Sequence, residues 1–366
     1  MRIPLLAAVL IFATIAPAAP QTIPATLPAT RPISREEVDL VVAPLLDGWV
    51  DGFVVGIIDE TGGRRFYSYG RVADPRPGTP DRKPDEHTEY EIGSVTKVFT
   101  SLLLTDRVVQ GKMSLDAPAQ QYLPESVKLP HRGDQPITLA HLASHFSGLP
   151  RMPDNFHPKD PRNPYADYTV EQMYAFLNAV HPERDPGKAF EYSNLGVSLL
   201  GHILARQAGT SYEELVVTRI CEPLKMRDTR ITLSADQRRR LSPGHDPEGD
   251  PTVNWDNPTF AAAGAICSTA DDMLTFLAFQ IGLENSREKL PELARAADMT
   301  HIIRAPLAEG VPTSIGLGWH IETKRPVIWH NGQTGGYHSF VGFNTQRREG
   351  VVILSNSSVG AIDRAG

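Results

Sequence analysis

Apolar positions change their period twice along the chain, and the changes divide it into three stretches. Val38, Val41, Val42, Leu45 and Leu46 follow one helical face behind a capping box of Ser34 and Glu37, so a first helix is expected there, kinked or shortened by Pro44. Phe53 to Ile58 and Arg64 to Tyr69 are β-rich runs joined by Asp59-Glu60-Thr61-Gly62-Gly63, the pattern of an antiparallel hairpin. Ala73 to His87 is rich in proline and charge and is expected to be an exposed loop. Ser94 then opens an apolar helix that runs to about Gln110 and ends at Gly111.

From about Ser114 to Arg304 helical spacing dominates, at Thr138 to Ser144, Val170 to Val180, Asn194 to Gln207, Tyr212 to Ile220 and Ala270 to Ile281. Strand composition returns at Gly316 to Glu322, Val327 to Trp329, Ser339 to Asn344 and Val351 to Leu354, with short turns between. Strands at both ends and helices between them predict an α/β fold: an antiparallel sheet flanked by helices, with an all-α lobe inserted. Residues 34–113 and 305–366 would form the discontinuous α/β domain and 114–304 the mainly helical lobe.

The first residues do not fit this pattern. Met1 and Arg2 precede an apolar run from Ile3 to Ile15, too short for a stable span but suited to the h-region of a secretory signal, and Ala16-Pro17-Ala18 supplies small residues for cleavage. A signal peptide over 1–18, a Pro/Ala-rich linker over 19–33, no membrane span after cleavage and a periplasmic or secreted destination are therefore expected. No cysteine follows that would carry a lipid anchor. Cys221 and Cys267 are the two cysteines; neither has a neighbour that would make a redox pair or a zinc cage, and two buried thiols are the favoured reading over a disulfide.

Composition narrows the partners. With 366 residues, 41% hydrophobic and 22% charged, the chain is long enough for a large core and is neither a disordered nor a multi-span protein. A net charge of −7 leaves no basic surplus to neutralise phosphates, which argues against nucleic acid and for a small-molecule or peptide substrate. No cofactor motif is present, whether Walker A, dinucleotide fingerprint or G-x-S-x-G elbow. His141 and His145 share a helical face at metal-ligand spacing, but Leu142 stands where a zinc hydrolase would need Glu, so no metal is expected. Arg238-Arg239-Arg240 and Asp246 to Asp250 are read as solvated loop charges.

Three segments carry candidate chemistry. In Ser94-Val95-Thr96-Lys97 a hydroxyl and an ammonium three residues apart stack on one helical face, and a lysine with a depressed pKa can take the serine proton. Ser94 at a helix start also turns its backbone N–H toward a developing oxyanion. Glu191-Tyr192-Ser193-Asn194 offers a phenol and a carboxamide ahead of another apolar helix. Singly, Tyr192 would be a core aromatic and Asn194 a helix cap. Trp329-His330-Asn331-Gly332-Gln333-Thr334-Gly335-Gly336 ends an apolar strand with glycines that permit close backbone approach, although His330 alone would pass for a structural strand-end residue.

In this order, S-V-T-K, Y-S-N and H-N-G-Q-T-G-G resemble the serine β-lactamase and penicillin-binding superfamily, specifically class C β-lactamases and related DD-peptidases and esterases, over about Val38 to Ser357. Gly111 to Asp116, His145-Phe146-Ser147-Gly148-Leu149-Pro150, Pro223-Leu224-Lys225-Met226 and Ser268 to Met273 look like the same family. Y-S-N stands where class A enzymes have S-D-N, which favours the class C type. The resemblance implies Ser94 as nucleophile, Lys97 as its proton partner, Tyr192 as general base and acid, and Asn194 as a binder of the substrate amide. Gly332 is kept in the third motif, and Gln333 by position supplies the second oxyanion N–H. His330 replaces the usual lysine, and as a titrating cation it would hold a substrate carboxylate in a pH-dependent way. Where class C enzymes place a glutamine, this sequence offers Arg151.

The leading expectation is an exported serine hydrolase that forms an acyl-enzyme on amide or ester carbonyls, acting as a peptidoglycan DD-carboxypeptidase or endopeptidase. The alternatives are a class C-type β-lactamase, a carboxylesterase and a non-catalytic envelope-binding protein, so the partners expected are a peptidoglycan peptide, a β-lactam or an ester. Relatives continue beyond the last strand into a C-terminal helix, so a sheet face partly uncovered is expected if this chain is truncated.

Overall fold

The first hairpin of the sheet is pinned at its turn: the Asp59 carboxylate accepts from the N–H groups of Thr61 (3.0 Å) and Gly63 (2.9 Å), which closes β1 (Gly52–Ile58) onto β2 (Arg64–Gly70). The computed structural model describes residues 33–46, 52–72, 82–130, 132–133, 135–283 and 285–364. The expected signal peptide, the linker up to residue 32 and residues 73–81 of the expected loop lie outside them. Further strands are β3 (Tyr90–Glu91), β4 (Cys267–Ser268), β5 (Ala305–Pro306), β6 (Thr313–Ile315), β7 (His320–Glu322), β8 (Val327–Gln333), β9 (His338–Asn344) and β10 (Glu349–Ser355). Eight of them form one sheet in the order β2-β1-β10-β9-β8-β7-β6-β5, every neighbouring pair antiparallel, while β3 and β4 pair separately.

Alternation along the central strands decides which core each residue joins. Val54, Ile58, Val341, Phe343, Val352 and Leu354 face the main core, where the helices Thr96–Val109, Asn194–Ala208 and Ala270–Ile281 pack. Phe53, Val55, Ile57, Phe340 and Ile353 face the opposite side and meet Val38 and Val42 of the helix Arg35–Leu46. An apolar groove between Val38, Val42, Phe343 and Val351 stays open beside that helix. The capping box is present, with Ser34 N–H donating to Glu37 Oε2 at 2.8 Å. Residues of the helical middle and of the terminal strands share the main core, and from Ile33 onward the chain forms one compact unit.

Four local expectations are corrected. Gly316 to Glu322 is not one strand but a turn, Gly316 to Trp319, between β6 and β7, because Gly318 at φ +73 turns the chain: a Cβ there would sit 2.6 Å from Ser101 Oγ. The strand begun at Val327 continues through Gln333, so His330 to Gln333 of the third motif lie within β8 and only Thr334-Gly335-Gly336 lie beyond its end. The helix from Tyr212 widens into a π-turn at Val217–Cys221. Arg240 belongs to the short helix Ala235–Arg240 and pairs with Asp228 at 2.6 Å, so this arginine is no solvated loop charge. Cys221 and Cys267 are both free and buried.

Candidate active site

The turn that carries Ser94 is built from buried backbone. β3 pairs with β4, the Ile92 N–H donates to Ile266 O at 3.0 Å, and Gly93 turns at φ +48 into a 3₁₀ turn, Gly93–Val95, that leads into the helix Thr96–Val109. Ser94 thus stands one turn before the helix proper. Every residue of that helix from Thr96 to Arg107 is buried, so its polar groups bond inside the protein: Asp106 is held by Arg219 at 2.9 and 3.0 Å. Lys97, 0% exposed, donates from Nζ to Ser94 Oγ (2.8 Å) and to Ala263 O (2.7 Å). Burial, helped by the charge of Arg151, holds its pKa well below the ordinary lysine value, so the buried amine is disposed to be neutral.

β8 reaches the same turn from the sheet. A Cβ on Gly332 would fall 2.0 Å from Ile92 O and 2.9 Å from Ser94 N, and one on Gly93 would fall 2.7 Å from Gln333 N. Only glycine on both sides allows the backbones of Ser94 and Gln333 to come this close. Gln333 is fixed by its side chain, which donates to Ser358 O at 2.8 Å.

Tyr192 comes from the turn before the helix Asn194–Ala208. Ser193, not Asn194, is the cap: its Oγ accepts from the Gly196 N–H at 2.8 Å and donates to Pro150 O at 2.7 Å. That leaves the Asn194 carboxamide on the cavity wall, 3.7 Å from Met152 Sδ. The Tyr192 ring lies 4.9 Å from Lys97 Nζ and 5.0 Å from the Arg151 guanidinium carbon. Burial pushes the phenol up to about 12, against the hydrogen bond with Ser94, so it is protonated at neutral pH.

These groups open onto one cavity of about 600 Å³, lined by Ser94, Tyr192, Asn194, Gly332 and Gln333 among others. Sequence reasoning did not find its opposite wall. Trp255, Tyr165 and Phe260 form an aromatic side, held by the buried carboxylate of Glu91, which accepts from Asn254 Nδ2 (2.9 Å) and the Trp255 N–H (3.0 Å). Asp363, bonded to His338 and Asn331 at 2.8 Å each, closes the sheet side. No motif in the sequence marks Trp255 or Asp363.

The histidines depart furthest from expectation. His330 shares the inward face of β8 with Ile328 and Gly332, is 1% exposed and does not line the cavity. Burial, with the neighbouring His320 and Lys97, holds its pKa well below the usual range, which disfavours the imidazolium through which a titrating His330 was expected to hold a carboxylate. His145 is not on a helical face with His141, because the helix Leu139–Ala143 ends before it and His145 turns at φ +63. It stacks on Tyr192 instead, ring centroids 4.4 Å apart.

A family model described as Beta-lactamase matches residues 38–365. The chain belongs to the beta-lactamase family. It is accordingly a serine hydrolase with the antiparallel-sheet fold of class C beta-lactamases. Among beta-lactamase relatives, the D-alanyl-D-alanine-carboxypeptidase/endopeptidase AmpH of Escherichia coli is 30% identical over 319 residues, covering 84% of this chain and 80% of AmpH. A beta-lactamase of Lysobacter lactamgenus is 27% identical, covering 88% and 87%. Two solved structures share the fold: a class C beta lactamase from Rhodobacter sphaeroides (TM-score 0.75, 24% identity, 90% and 96% covered) and a beta-lactamase/D-alanine carboxypeptidase from Pseudomonas syringae (TM-score 0.75, 23%, 89% and 95%).

Proposed function

We propose that this member of the beta-lactamase family is an exported enzyme that acylates Ser94 with amide or ester carbonyls, its substrate being a peptidoglycan peptide cleaved as a DD-carboxypeptidase or endopeptidase. The observation that carries the proposal is the 2.8 Å contact between Ser94 Oγ and a buried Lys97 amine. A neutral amine at that distance takes the hydroxyl proton as Ser94 attacks the carbonyl. The backbone N–H groups of Ser94 and Gln333, side by side through Gly93 and Gly332, then receive the oxyanion. Tyr192, protonated and 4.9 Å from the amine as measured to its ring, passes a proton to the departing nitrogen and is refilled from Lys97. Asn194 holds the substrate amide. His330, neutral, does not hold its carboxylate by charge; Arg151 is the cationic side chain on the cavity wall that can do so.

The AmpH likeness supports the peptidase reading. A β-lactamase is the second reading, supported by the class C structural likeness. The two share acylation and differ in how fast water frees Ser94. Incubation with a D-Ala-D-Ala peptide and, separately, with nitrocefin tests the choice: released D-alanine with a single nitrocefin turnover is expected, and sustained nitrocefin hydrolysis with an intact peptide would reverse it.

A further inference from the structure

We propose that His145 is a positioning residue for Tyr192, holding the phenol where it can deliver a proton to the departing group; this rests on the acyl-enzyme reading above and adds to it a residue outside the three motifs. Its contacts bracket the tyrosine on both sides along the chain. The Glu191 N–H donates to His145 O at 2.8 Å, the Ser193 N–H donates to His145 Nδ1 at 3.1 Å, and the imidazole lies stacked on the Tyr192 ring between them, at 28°.

The arrangement carries visible costs. His145 holds a left-handed backbone at φ +63, which a side chain with a Cβ rarely adopts. Because Nδ1 accepts from Ser193, the neutral ring carries its hydrogen on Nε2, and that buried N–H has no partner among the described residues. A phenylalanine would fill the same space without stranding a donor. What it lacks is the acceptor for the Ser193 N–H, so the ring nitrogen is retained for its hold on the Tyr192–Ser193 backbone. The neighbouring groups fit a fixed phenol. Nδ1 of His330 lies 2.5 Å from Asn331 O and so carries the hydrogen, which leaves His330 Nε2 a bare acceptor, its ring centroid 6.5 Å from that of Tyr192.

The test compares two acylating probes. Penicillin's ring nitrogen departs only with a proton, whereas the nitrophenolate of p-nitrophenyl acetate departs without one, so a misplaced phenol harms the first far more. His145→Ala is expected to slow acylation by a fluorescent penicillin about 100-fold, as a displacement of about 1 Å does, and the ester by less than about tenfold. The loss should lie in the acylation rate constant and not in probe affinity. His145→Asn, which tolerates φ > 0 and keeps an acceptor, is expected to regain at least about tenfold of the penicillin loss. Should the alanine variant fail to fold, the asparagine variant decides, by retaining penicillin acylation within about tenfold of wild type. Equal losses on both probes, an unchanged penicillin rate in His145→Ala, or a folded His145→Asn that acylates no better than the alanine variant would overturn the role. A wild-type protein that neither probe acylates would instead remove the acyl-enzyme reading itself.

Discussion

Two buried ionisable clusters lie at opposite ends of one short stretch of chain, Glu89 to Lys97, and only one of them adjoins the cavity. Glu89 is 0% exposed, neither of its oxygens has a hydrogen-bond partner among the described residues, and the nearest cation, Arg240, is 3.8 Å away. Burial pushes its carboxyl up to about 9. Lys97 is buried as fully and its pKa is also displaced by burial, yet its amine meets the Ser94 hydroxyl, and Ser94 opens onto a cavity. A perturbed pKa therefore marks burial in both places and chemistry in one. What separates them is convergence: a hydroxyl, an amine bonded to it and backbone N–H groups beside one open volume.

Substitutions on the two sides should divide accordingly. Lys97→Ala is expected to lower acylation by about 10³-fold or more, because it removes the amine 2.8 Å from Ser94 Oγ that takes its proton, while the thermal midpoint moves little. Stopped-flow acylation beside a melting curve checks it, and comparable losses on both would put Lys97 with Glu89 as a packing residue. Tyr192→Phe should cost about 10²-fold on amide substrates, less on activated esters, with a near-native midpoint. On the other side, Glu89→Gln should leave acylation unchanged and stabilise the fold at pH 8. The sign follows from linkage. A carboxyl raised to about 9 stays protonated in the fold while the unfolded chain ionises above about 4.5, so wild-type stability falls as pH rises through that window. The glutamine variant avoids that loss, so its advantage should be on the order of 5 kcal/mol at pH 8 and shrink toward pH 5. Smallest of all is the effect expected of His330: with its imidazole neutral, KM for a carboxylate substrate should stay flat between pH 6 and 8. A KM that rises across that range in wild type and not in His330→Lys would restore the cationic role.

Much of this was legible in the sequence because it is written in local spacing. Ser94 and Lys97 three residues apart, Tyr192 ahead of an apolar helix and glycine in β8 all announce themselves within a few positions. The helix Ala270–Ile281 and the hairpin from Gly52 were equally plain, since period and turn chemistry agree there. Charge states were not legible. Whether His330 titrates depends on the side of β8 it faces, and a strand expected to stop at Trp329 gave no face to a residue that in fact lies within it. His145 was misplaced for a related reason: spacing of four suggests a helical face, and only the left-handed turn at His145 shows that the helix has ended. The aromatic wall from Tyr165 to Phe260 depends on Glu91 reaching Asn254, a contact between residues 163 positions apart that no window of sequence displays.

The central claim is that Ser94 is the atom acylated. Intact-mass spectrometry of wild type and Ser94→Ala after incubation with benzylpenicillin, followed by peptide mapping, tests it most directly. A single penicilloyl adduct on the peptide containing Ser94, absent from the alanine variant, is the result predicted. An adduct that persists in Ser94→Ala, or one that maps to another residue, would contradict it.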